Sequence, residues 1–158
     1  MHKNEDIIRQ ELIKGLLGED AHFSFEKATK DFPIERINER PPNSDYTPWR
    51  LLEHIRRTQT DMLEYISSDN YKEKNWPEDY WPNPKIKATP KMWKKAIKNF
   101  RRDLKRLVNI VKDAKCSLTA RLPRNSKHTL FRQIRILINH NSYHIGEFAI
   151  LRQVMKTW

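Results

Sequence analysis

Leu130-Phe131-Arg132-Gln133-Ile134-Arg135-Ile136-Leu137-Ile138-Asn139-His140-Asn141-Ser142-Tyr143-His144-Ile145-Gly146-Glu147-Phe148-Ala149-Ile150-Leu151 carries its apolar residues at helical spacing. Leu130, Phe131, Ile134, Leu137, Ile138, Ile145, Phe148 and Leu151 form the core side of a helix that begins near Thr129. Within it His140 and His144 stand four residues apart, little more than one turn, so both imidazoles project from the same side and can converge on one metal ion. A pair needs a partner. The best third nitrogen is His54, about ninety residues upstream on another helix, giving an all-histidine facial site with positions left for water or substrate.

Working outward, the helical pattern recurs. Asn4 to Leu17 places Ile7, Ile8, Leu12, Ile13 and Leu16 on one side, with Gly18 as terminator. Ala21 to Phe32 also reads as helical, with Phe23, Phe25, Ala28 and Phe32 available for packing, before Pro33 and Pro41-Pro42-Asn43-Ser44 open a loop. Thr47 can cap the next helix, Pro48 suits its first position, and Tyr46 can staple onto Leu51. That helix runs to about Ser67 on a stripe of Leu51, Leu52, Ile55, Met62, Leu63 and Ile66, with His54 at the stripe's edge beside Thr58 and Asp61. Thr89-Pro90 repeats the cap and gives a helix to about Lys112, followed by a polar linker through Leu122-Pro123.

Between the second pair of helices lies Trp76-Pro77-Glu78-Asp79-Tyr80-Trp81-Pro82-Asn83-Pro84, too rich in proline for regular helix and long enough to need structure of its own. Trp76, Tyr80 and Trp81 could wall a substrate pocket or cover an end of the bundle. Four long amphipathic helices and this connection imply an all-α fold, a four-helix bundle with a long crossover loop, in one domain spanning residues 1–158.

Composition agrees and narrows the function. Three glycines and no β-type alternation favour helices, and the single Cys116 excludes an internal disulfide and a cysteine-based zinc site. No stretch reaches the roughly 18 apolar residues of a membrane span, which leaves a cytoplasmic protein as the expectation. The net charge is +11, concentrated between Lys91 and Lys115. Lys91, Lys94, Lys95, Lys98, Arg101, Arg102 and Lys105 share one arc of a helix whose other arc holds Trp93, Ala96, Ile97, Phe100, Leu104, Leu107 and Val111. An ordinary solvated face accounts for that pattern, and nucleic-acid binding is the less favoured reading.

Neutral imidazoles bind zinc, nickel or iron, and an open divalent site can acidify water, polarise a carbonyl or hold a thiolate. Glu147, three residues after His144, could accept a ring N–H, join the ligands, or act as a catalytic base. His2, His22 and His128 stand apart from this group: terminal, in a junction, and ahead of the last helix.

Leu16-Leu17-Gly18, Ala21-His22, Ser24-Phe25-Glu26, Pro48-Trp49-Arg50-Leu51-Leu52-Glu53-His54, Gln59-Thr60-Asp61, Trp76-Pro77-Glu78-Asp79-Tyr80-Trp81-Pro82 and His140-Asn141-Ser142-Tyr143-His144-Ile145-Gly146 together resemble the DinB-like (DinB/YfiT) superfamily of metal-binding four-helix bundles. The resemblance covers nearly the whole chain, and its last motif is the most specific. It implies a metal held by His54, His140 and His144, activity as a thiol-dependent S-transferase or isomerase with a low-molecular-weight thiol, and a homodimer. Glu147 stands where relatives often have Gln, Asn139 where many have Asp, and Val154-Met155-Lys156-Thr157-Trp158 lacks a frequent glycine. The expected function is that of a divalent-metal-dependent transferase or hydrolase acting on a small molecule. A metal-free scaffold and a nucleic-acid binder using the basic helix are the alternatives.

Overall fold

The computed structural model describes residues 2–19, 21–122 and 127–158, for residues 2 and 3 the backbone alone. Pro123, the end of the expected linker, and the His2 side chain lie outside the described residues. Among the described residues five α-helices follow one another: α1 (His2–Leu17), α2 (Phe25–Thr29), α3 (Pro48–Ser67), α4 (Pro90–Lys112) and α5 (Leu130–Met155), with a 3-10 turn at Ile34–Arg36. Among the described residues the β structure is a single bridge between Arg121 and Thr129.

The three longest helices start by one device. Thr47, Thr89 and Thr129 have extended backbones, and each hydroxyl accepts an amide of the first turn, from Arg50, Met92 and Arg132, at 3.2 Å. Pro48 and Pro90 follow at the first helical position, where a missing N–H costs nothing. At the other end of α1 the chain reverses at Gly18, whose φ of 70° a side chain would strain against Ser24.

α1 lies against α4 and α5, and α3 against the same two, so α1 and α3 sit across one diagonal of a four-helix bundle. α2 packs on α5 as an addition. The interior is two apolar clusters. One gathers Phe25, Phe32, Leu52, Trp93, Phe100 and Phe148; the other gathers Leu16, Leu63, Leu107, Ile134 and Leu137; Leu104 packs against both.

Several expectations are corrected. Helix over residues 21–32 contracts to Phe25–Thr29, because Ser24 caps it and Asp31 turns left-handed at φ 51° ahead of Pro33. Phe23 is exposed rather than packed in the core, and Phe131 stands at the rim at 38% exposure. Ile7 and Ile8 face solvent because the first turns of α1 pass beyond the apolar clusters; there the buried side chain is Arg9, which donates to the carbonyl of Val111 in the last turn of α4 (2.7 Å) and to that of Cys116 just beyond it (2.8 Å).

Candidate metal centre

On α3, Arg50, His54 and Arg57 follow one another at helical spacing and point at one strip of the aromatic loop. Arg57 donates to the carbonyls of Asp79 and Trp81, His54 Nδ1 to that of Tyr80 at 3.2 Å, and Arg50 to that of Pro82 at 3.2 Å. Four consecutive loop carbonyls are therefore satisfied by one face of α3, which is how a proline-rich segment without helix or strand keeps a fixed shape. Buried Glu53 aligns the arginines through Arg56 (2.8 Å) and Arg57 (3.0 Å).

A carbonyl can only accept, so His54 carries its proton on Nδ1 and turns the Nε2 lone pair inward. The same reasoning fixes the other two rings. His144 Nδ1 lies 2.7 Å from Glu147 Oε2, a carboxylate. His140 Nδ1 lies 3.3 Å from Asn141 Oδ1, and the Asn141 amide is oriented because its nitrogen donates to Gln59, whose own nitrogen donates to the Phe100 carbonyl of α4. Three Nδ1–H groups are tied off, and three Nε2 atoms converge.

His54 Nε2 stands 3.1 Å from His144 Nε2 and 3.2 Å from His140 Nε2, and the three ligand atoms lie within 4.8 Å of one another. Lone pairs facing each other at that distance repel unless a proton or a cation lies between them. Nitrogens sharing one ion at about 2.1 Å sit roughly 3.0 to 3.4 Å apart, so the donor set fits a divalent metal in both chemistry and spacing. Burial, then the neighbouring His144, pushes His54 down to about 4, and the same two causes in that order bring His140 to about 4. Both rings are neutral and able to ligate at neutral pH.

Around the triad the loop supplies aromatic walls. Trp81 stacks on His54 with ring centres 3.9 Å apart and planes 3° from parallel, and Tyr46 stacks on Trp81 at 5.3 Å. Exposed Trp76 meets His54 edge-on at 6.3 Å, and exposed Tyr143 meets His144 at 4.9 Å. The loop aromatics thus face the histidines. Glu147 also interacts with the phenols of Tyr46 and Tyr143, holding both above their ordinary titration range, Tyr46 mainly through burial.

The structure brings together all four residues singled out from the sequence, His54, His140, His144 and Glu147. His22 faces the Phe23 carbonyl, and His128 is engaged by Tyr65 and Gln133, both away from the cluster. Sequence reasoning left unassigned the buried Asp61, which accepts from Tyr80 (2.7 Å) and Tyr71 (3.0 Å) and so clamps the loop whose carbonyl holds His54. It also missed Gln59. A buried Gln and Asp on an otherwise apolar stripe were the available signal.

A family model of the DinB superfamily matches residues 19–148. The chain belongs to the DinB superfamily. Its match runs from the turn after α1 through His140 and His144, so the candidate centre of this DinB-superfamily chain lies wholly within the matched region. Comparison with curated proteins and with solved structures gave no match. Among the described residues no helix is long and apolar enough to cross a membrane.

Proposed function

We propose that His54, His140 and His144 hold one divalent cation, zinc or nickel before iron, and that the chain uses it to act on a small molecule, by transferring a low-molecular-weight thiol or by hydrolysis. The observation that carries this reading is the convergence of three Nε2 atoms whose opposite nitrogens are each tied to an acceptor. When bound, such an ion supplies Lewis acidity, lowering the pKa of a coordinated thiol or water and polarising a carbonyl.

The chain's own residues do the positioning. The Tyr80 carbonyl, Asn141 and Glu147 hold the three rings in the ligating tautomer, the kind of support whose loss typically weakens metal sites 10 to 100-fold. Glu147 spends its carboxylate on His144 and the two phenols, so its role here is to orient His144 and place negative charge behind it, in preference to free base catalysis. Trp76, Trp81 and Tyr143 give the approach an aromatic lining suited to a substrate with a flat or apolar body. Metal analysis of tag-free protein reconstituted with zinc or nickel tests the proposal. One ion per chain, lost in His54→Ala, supports it; a reconstituted wild-type chain without metal contradicts it.

A further inference from the structure

Away from the histidines, α2, α4 and the end of α5 enclose two adjoining concavities. The first, about 460 Å³, lies between α2 and α4 and is lined in part by Lys27, Lys30, Lys94 and Lys98. The second, about 650 Å³, continues over Lys27 and Lys30 to Lys156 and ends at Phe23 and Trp158. Ion pairing sorts the charges along this path. Arg101 is neutralised by Glu26 through contacts of 2.8 and 2.5 Å, and Arg152 is spent on the carbonyls of Ala28, Lys30 and Thr157. No ion pair among the described residues engages Lys27, Lys30, Lys94, Lys98 or Lys156, leaving Asp31 as the acid opposing them along the path.

An unneutralised, grooved run of ammonium groups stores repulsion that a polyanion relieves by releasing its own counterions. α4 presents Lys94 and Lys98 one turn, about 6 Å, apart, Lys27 and Lys30 face them from α2 and its end, and Lys156 continues the run beyond α5, so an extended charged chain can follow the groove. At the end of the path Phe23 and Trp158 are 45% and 56% exposed with ring centres 5.5 Å apart. A cationic groove that ends on exposed aromatic rings is the arrangement by which proteins hold single strands, lysines on the phosphates and rings on a base. A lipid surface would call for a flat basic face with apolar side chains to insert, whereas here the cations line a concavity.

We propose that the groove between α2 and α4, continued to Trp158, binds the backbone of single-stranded nucleic acid, with Phe23 and Trp158 as a stacking platform. It is independent of the metal centre, which faces the aromatic loop from α3 and α5.

The test is fluorescence anisotropy with a labelled twenty-nucleotide oligothymidylate, titrated at several salt concentrations, with a duplex and anionic phospholipid vesicles as competitors. The wild-type chain is expected to bind with an affinity that falls linearly on a logarithmic salt scale. Lys94→Gln with Lys98→Gln should lower that slope by roughly 1.4 and weaken binding on the order of tenfold. Trp158→Ala should weaken it several-fold while leaving the slope unchanged. Arg132→Gln with Arg135→Gln, on the first turns of α5 beside the other apolar cluster, should leave both unchanged. Absence of binding at low salt, an equal loss in the Arg132/Arg135 variant, or vesicles competing better than the oligonucleotide would overturn the proposal.

Discussion

α4 and α5, of similar length and set across the bundle's other diagonal, treat most of their polar residues in opposite ways. α4 buries Trp93, Ala96, Phe100, Leu107 and Val111 together with one charged residue, Asp103, which accepts from Thr60 and Arg102, and it turns its lysines to solvent, as an amphipathic surface helix does. α5 buries Gln133, Asn141 and Arg152, brings two histidines to the interior seam, and exposes Tyr143, Ile150 and Val154. The buried face of a helix that follows the burial rule tells of packing. One that breaks it, with each buried polar group supplied with a partner, tells of a site.

That contrast can be broken first on the α4 side. Phe100 is 1% exposed and stacks on Phe25 with ring centres 3.7 Å apart, so Phe100→Ala should cost about 3 to 5 kcal/mol in urea unfolding. A loss under 1 kcal/mol would show that α4 is not the packing element described.

At the histidine cluster that α5 completes, the largest expected effect is one of pH. Free imidazole titrates near 6.5, while folded His54 and His140 are held at about 4. Between those values the unfolded chain takes up protons that the folded, metal-free chain refuses. Metal-free stability should therefore be full above about pH 6.5, fall as the pH drops toward 4, and level off below, with about 3 kcal/mol as the ceiling for one ring. Urea melts of the wild type and of His54→Gln across this window should converge as the pH falls; parallel curves would contradict buried neutral rings.

Smaller still is the support of His144. Glu147→Gln keeps the side chain's shape but weakens an acceptor 2.7 Å from Nδ1, and should reduce metal affinity about tenfold with little change in metal-free stability. At the bottom of the scale, Lys98→Ala on the exposed face of α4 should move stability by no more than about 0.5 kcal/mol in either direction.

The two helices were also unequally readable. Threonine caps, prolines at first helical positions and apolar stripes have residue-type signatures, so the bounds of α3 and α4 follow almost directly from Thr47-Pro48 and Thr89-Pro90. The four-residue spacing of His140 and His144 is likewise written in the chain, and Glu147 follows one turn on. What holds His54 is not. Its partner is the Tyr80 carbonyl, and a backbone carbonyl has no identity in a sequence; only the fold shows that Arg50, His54 and Arg57 meet the loop there. The same limit hid the Gln59 and Asn141 relay, which depends on a carbonyl of α4. On α1 the apolar pattern misled, since Ile7 and Ile8 match the stripe but extend past the core it serves.

The most direct measurement is long-range nitrogen NMR of histidine rings in protein labelled with ¹⁵N, followed during a zinc titration. In the zinc-loaded chain His54, His140 and His144 should each show a protonated Nδ1 and a metal-bound Nε2, and during the titration all three Nε2 signals should shift together, completing at one equivalent. Shifts at Nδ1, or a response from fewer than three of these rings, would contradict a common centre.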